Sequence, residues 1–199
     1  MSPPFRPIPN SFYDSDMPFI IIGGLKHSGK STLGKILAED WDLPFFDLDD
    51  LMLSEMDYQW KTVRELYKVL GKEVFQRVEM DAARTFHDWH MPSQKHRGAV
   101  LSLGGGTIEN EDAMVWLRHS GTRVYIRANE DLLYQRIMAK GRPPFLSEEN
   151  PQEDFAQLYQ KRHALYSDFA QVVQDVDDAS PKINAQRLLV TLEKFYARK

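Results

Sequence analysis

The run Gly24-Leu25-Lys26-His27-Ser28-Gly29-Lys30-Ser31 fits the spacing G-x-x-x-x-G-K-[ST]. Each residue type has a task there. Glycines at the two ends let the backbone curl until several N–H groups point inward at phosphate oxygens. A helix starting at the same point adds the positive end of its dipole. Gly24, His27, Ser28, Gly29, Lys30, Ser31 and Thr32 are therefore the expected phosphate contacts, with Lys30 reaching the outer phosphates and Ser31 able to hold Mg²⁺. A glycine-rich turn with an exposed lysine is the plain alternative, but the pattern arises by composition in on the order of 1 % of chains this long. A second constellation, Asp47-Leu48-Asp49, follows. Read as a strand end, alternation puts both carboxylates on one side. One, Asp47, can support the metal, and the other can take a proton from an attacking hydroxyl. The competing expectation is that Asp49 or Asp50 caps the next helix.

Both constellations need a scaffold that brings them to one edge. Phe19–Gly23 reads as a buried strand and Ser31–Trp41 as a helix, with Leu33, Ile36, Leu37 and Trp41 on one face. Further strands are expected over Pro44–Asp47, Ala99–Leu103, Thr122–Ile126 and Gln171–Val176. Helices are expected over about Thr62–Leu70, Lys72–His90, Glu111–His119, Glu130–Ala139 and Lys182–Ala197. Gly71 can end one helix and start the next. Another helix follows the Gly141–Asn150 loop, with Asn150 as cap, Pro151 at its first position and Glu153 completing a capping box. Alternating strands and helices predict a three-layer α/β/α fold around a five-stranded parallel sheet. Its strand-to-helix loops gather at one edge, where ligands bind in such folds.

Composition sets the limits. The chain has 199 residues, with 25 basic and 29 acidic ones, a net charge of 25 − 29 = −4. That argues against a general nucleic-acid binder, which carries a net basic face. Cysteine is absent, which excludes a disulfide framework, a thiolate metal site and a cysteine nucleophile. The six histidines show no metal spacing. No run approaches the roughly 18 apolar residues of a membrane helix. Residues 1–18 are proline-rich and expected to be a flexible leader, with 19–199 as one domain; they lack a signal peptide's basic start and apolar stretch. A cytoplasmic monomer acting on a small molecule, with neither nucleic acid nor membrane as partner, is the resulting expectation.

Taken in order, the motifs resemble the shikimate kinase family of P-loop kinases over about residues 19–195. Phe46-Asp47-Leu48-Asp49 is similar to the family's F-x-D-x-D, and Gly71-Lys72-Glu73-Val74-Phe75-Gln76-Arg77-Val78-Glu79 to G-E-x-x-F-R-x-x-E. Leu103-Gly104-Gly105-Gly106 matches the triple glycine that borders the substrate. Arg142-Pro143-Pro144-Phe145-Leu146 resembles the R-P-L-L lid, and Arg162-His163-Ala164-Leu165-Tyr166 resembles R-x-P-L-Y. The resemblance implies an ATP- and Mg²⁺-dependent kinase acting on a hydroxylated carboxylic acid, shikimate. It implies Asp49 as base, Lys30 and Arg142 (within a mobile lid over about 140–151) on the phosphates, and Arg162 on the acceptor's carboxylate. Helices over about 50–91 would hold the substrate, and Asp175–Pro181 would lie near the adenine.

The chain departs from that pattern in one position that bears on the acceptor. Gln76 stands where the family has a second carboxylate-binding arginine, and a neutral amide offers only weaker bonds than a guanidinium. Arg77 is adjacent but turned by about 100° on a helix, so a register shift or a different acceptor would account for it. By position Gln76, Arg77 and Glu79 are still expected beside the substrate; because part of Glu79's family role is to hold the missing arginine, a solvated helix carboxylate is its plain alternative. Lys72, His27 and Ala164 replace a glutamate, a glycine and a proline. Arg118 and Arg136 are helical arginines that could serve the phosphates, with nothing in the sequence to favour either. The alternatives are a kinase for another sugar acid or polyol such as gluconate, and a nucleotide-binding relative without catalysis.

Overall fold

The computed structural model describes residues 19–56, 59–90, 98–143 and 145–198. The expected leader, and Pro144 of the expected lid, lie outside the described residues. Five strands form one parallel sheet: β1 (Phe19–Gly23), β2 (Phe45–Asp47), β3 (Ala99–Ser102), β4 (Thr122–Ala128) and β5 (Val172–Val176), in the spatial order β2-β3-β1-β4-β5. β1 sits at the centre, paired with β3 through Ile21↔Leu101 and with β4 through Ile21↔Arg123. Ile20, Ile21 and Ile22 are fully buried because this strand is covered on both faces. Chain order reverses at β1, so the crevice beyond its C-terminal end is where a doubly wound sheet offers a ligand site.

Helices α1 (Lys30–Asp40) and α7 (Pro181–Tyr196) pack together, with α1 lying on β1, β2 and β3. Helix α6 (Pro151–Phe169) packs on β4 and on α5 (Glu130–Met138). Helix α3 (Val63–Thr85) packs on α2 (Leu48–Glu55) and α4 (Glu111–Leu117), and α2 ties this helical annex to β2. Gly71 adopts φ 79, ψ 178 and kinks α3 where the sequence predicts a break between two helices. Phe86–His90 continues it as a π-helical segment.

Three local expectations are corrected. The chain does not stay extended through Asp49: β2 stops at Asp47, and α2 begins at Leu48. Asp47 itself caps α2, accepting from the Asp49 N–H at 3.1 Å, so the cap falls on neither Asp49 nor Asp50. The capping box at Asn150 does not form. Instead the Ser147 N–H donates to Asp154 at 2.7 Å and the Asn150 N–H to the Ser147 hydroxyl at 3.1 Å. Asp154, one residue beyond Glu153, already draws the preceding loop onto the first turn.

Candidate active site

The loop between β1 and α1 is shaped by its glycines. Gly24 has φ +155, and a Cβ there would lie 2.7 Å from the Ile126 carbonyl and 2.8 Å from the Ser28 hydroxyl. Gly29 precedes α1 in the left-handed region at φ 93, where glycine is free of Cβ strain. No side chain caps α1, so its first-turn N–H groups lack that partner. The Ser28 hydroxyl is buried without a hydrogen-bond partner. Uncapped helix donors and an orphaned buried hydroxyl in one loop fit a phosphate chain. Lys30 is buried, and burial pushes its ammonium below the usual lysine pKa, partly offset by the charges of Asp49 and Asp47. His27 holds φ 65, a left-handed conformation for a residue with a side chain. Burial first, then Lys26 and other nearby cations, lower its pKa, which keeps the imidazole neutral at pH 7.

Two clefts flank this loop. One, of about 530 Å³, is lined by His27, Ser28, Gly29, Thr32 and Arg136 on one side and by the 178–181 loop on the other. Arg136 ties the two together, donating to the His27 carbonyl at 3.3 Å and the Asp177 carbonyl at 3.2 Å. Asn184 holds the same loop through the Asp177 and Ala179 carbonyls, each at 3.2 Å. Residue types alone did not single out Arg136. Its only signal is a helical position, shared with Arg118, which instead faces Asp168 away from both clefts.

The second cleft, of about 480 Å³, gathers Lys30, Ser31, Asp47, Asp49, Gln76, Glu79, Gly104, Gly105, Gly106 and Arg162. At its floor the Ser31 hydroxyl donates to Asp47 at 3.0 Å, which leaves Ser102 to donate to Ser31 at 2.9 Å. Asp49 opens α2, and burial, followed by the charge of Asp47, raises its carboxyl pKa to about 6. The triple glycine is where these groups meet. A Cβ on Gly104 would lie 3.2 Å from Asp49 Oδ1, one on Gly105 2.9 Å from the Lys26 backbone nitrogen, and one on Gly106 3.1 Å from Arg162 Nη2. Any side chain there would push the phosphate loop, the carboxylate and the guanidinium apart. Tyr166, one turn beyond Arg162 on α6, donates to the Gly104 carbonyl at 3.1 Å and secures the segment.

Glu79 lines this cleft too, and the plain alternative for it does not hold. It is 4 % exposed, not solvated, and accepts from Thr107 at 2.6 Å and from Asn110 at 2.8 Å. Burial raises its pKa, against the pull of those two bonds. Asn110 uses its whole amide: Nδ2 also donates to the Gln76 carbonyl at 2.9 Å, and Oδ1 caps α4 at Ala113. Helix α3 is thus riveted to the turn after the triple glycine. This fixes its register, with Gln76 lining the cleft and Arg77 exposed and outside it. Thr107, Glu109 and Asn110 escaped the sequence reading, since a polar stretch after glycines looks like an ordinary loop. Arg142 also lines neither cleft: it bonds the Leu146 carbonyl and the Glu148 carboxylate within its own loop.

Known proteins of one family resemble this chain over most of its length. The family described as shikimate kinase matches residues 26–193. The shikimate kinase of Chlamydia pneumoniae is 32 % identical over 181 residues, covering 88 % of this chain and 98 % of the relative. That of Bartonella henselae is 30 % identical over 165 residues, 82 % of this chain and 74 % of the relative. A shikimate kinase from Acinetobacter baumannii, solved in complex with shikimate, shares the fold with a TM-score of 0.76 at 24 % identity, over 92 % of this chain and 97 % of that one. With the phosphate loop, the acidic end of β2 and the triple glycine held in one crevice of a five-stranded parallel sheet, the chain belongs to the shikimate kinase family.

Proposed function

We propose that this chain transfers the γ-phosphoryl group of ATP to a hydroxyl of shikimate. The observation that carries the reading is the triple glycine's contact with Asp49 at one end and Arg162 at the other, beside Lys30 in one cleft. A proton acceptor and a guanidinium fork thereby face one cleft, next to the phosphate loop.

In this reading Asp49 accepts the proton of the attacking hydroxyl, whose oxygen forms the new P–O bond as the bond to ADP breaks. Lys30 and the N–H groups of residues 28–32 hold the donor's outer phosphates. His27, Thr32 and the 178–181 loop border the nucleoside side. Arg162 takes the acceptor's carboxylate, and Gln76 offers its amide to the acceptor where a charged partner is missing. Arg142, once released from Glu148, would reach the phosphates as the 140–151 segment closes, bringing positive charge and excluding water. Ser31 and Asp47 suit Mg²⁺, a hard cation that takes few protein oxygens and fills its remaining positions with phosphate oxygens and water. Bound there, the ion would neutralise charge on the donor's phosphate oxygens.

The test is ADP release with ATP, Mg²⁺ and shikimate. Shikimate-dependent release that Asp49→Ala abolishes is expected. Release that shikimate does not raise above the rate with water, equal in both chains, would refute the assignment.

A further inference from the structure

The guanidinium read above as the seat of the acceptor's carboxylate already carries a carboxylate. Arg162 Nε donates to Glu109 Oε2 at 2.7 Å, and Nη2 approaches the same oxygen at 2.6 Å. The other oxygen, Oε1, lies 2.7 Å from Lys161 Nζ. Glu109 lines the same cleft as Gln76 and Arg162. We propose that Glu109 is a built-in competitor for the acceptor's carboxylate, occupying the Arg162 fork in the free chain and yielding it by staying on Lys161. The inference rests on Arg162 being the acceptor's seat.

Several features fit a competitor better than a brace. Arg162 does not depend on Glu109 for its position: Nη1 donates to the Gly105 carbonyl at 3.2 Å, and the group lies against Gly106. Glu109, by contrast, has a fixed backbone and a side chain that can swing. It ends a short 3₁₀ turn (Thr107–Glu109), its N–H bonded to the Gly106 carbonyl at 3.0 Å, while Thr107 is locked to buried Glu79. Lys161 gives the swinging carboxylate a second seat nearer water: its side chain is 65 % exposed, against 19 % for Arg162. Burial favours a neutral Glu109, but the bond from Lys161 and the charge of Arg162 outweigh it and hold its pKa below the usual carboxylate value. The side chain is thus ionised near neutral pH, as a competitor must be. Gln76 sharpens the effect, because the cleft lacks the second guanidinium that would attract an incoming carboxylate past Glu109. Neutral acceptors gain nothing by displacing Glu109, so the device acts on carboxylated ones specifically.

The test compares the unmodified chain with Glu109→Gln and Glu109→Ala, by calorimetric binding and by steady-state kinetics at saturating ATP, using shikimate and its uncharged methyl ester. Both substitutions are expected to tighten shikimate binding and lower its KM about tenfold, the scale of one charge-assisted bond, with kcat within about twofold. Affinity for the methyl ester should not change. A brace would give the reverse, weaker shikimate binding in both variants. If shikimate is phosphorylated but binds the variants no more tightly, this inference falls while the substrate assignment stands. If shikimate binds none of the three chains, Arg162 is not its seat and both fall together.

Discussion

Asp49 and Gln76 each concentrate a testable consequence in one side chain. Burial and the neighbouring Asp47 raise Asp49 to about 6 from an ordinary 3.8. As a base it must be ionised, so kcat/KM should rise with pH through a midpoint near pH 6, as a pH–rate profile would record. The effect on stability has the opposite sign. Between pH 3.8 and about 6 the folded chain holds a proton that the unfolded chain has released, so stability falls as pH rises through that window. Asp49→Asn should therefore abolish turnover while raising the melting temperature at pH 7, by about 1 kcal/mol or roughly 2–4 °C for a chain of this size. At position 76, Gln76→Arg should lower the KM for shikimate by roughly tenfold, because a guanidinium on that face of α3 adds a charge-assisted bond inside the cleft. Arg77→Ala should leave it unchanged, since that side chain is exposed and outside the cleft.

At the scale of elements, the joint between β2 and α2 and the segment before α6 set where Asp47, Asp49 and Arg142 lie. Because β2 ends at Asp47 and a helix begins at once, Asp47 has two tasks: it caps α2 and accepts from Ser31. Alternation along a strand would have brought Asp49 to the same side, but the first helical turn does so instead. Asp49 and Asp47 line one cleft for a reason that residue spacing does not contain. The segment proposed as a lid shows the converse, an arginine held within its own loop. Arg142 is bound to Glu148 and the Leu146 carbonyl, and Glu148 is 84 % exposed. Such a surface pair is weak, so releasing the arginine costs little. Arg142→Ala should lower kcat by about 10²–10³ with shikimate KM and melting temperature almost unchanged. Glu148→Gln should leave kcat within about twofold, both read from initial rates.

Across the whole molecule, a chain with net charge −4 places cations in the two clefts from three helices: Lys30 on α1, Arg136 on α5 and Arg162 on α6. All strands run parallel, so every strand-to-helix connection that matters opens at one edge. Among the described residues the Ser28 hydroxyl has no hydrogen-bond partner and no side chain caps α1, an arrangement that suits a phosphate chain. Nucleotide should therefore stabilise the fold strongly. ATP at about 100 times its Kd should add about 2.7 kcal/mol, a rise of roughly 5–10 °C in melting temperature. Lys30→Ala should lose most of that rise, as differential scanning fluorimetry would register.

The sequence by itself determined the phosphate loop, the parallel α/β layout, the break at Gly71 and the family, because these depend on short-range spacing that survives in one dimension. Glycine positions, apolar runs and the lysine–serine pair are local facts with local causes. Only the tertiary structure decided that Glu79 is buried between Thr107 and Asn110, that Arg77 faces away, and that Glu109 sits on Arg162 from 53 residues up the chain. Those pairings join helices to loops that the sheet brings together. A carboxylate or an arginine reads the same in sequence whether its partner is water or a distant side chain, and which one it meets is settled by packing.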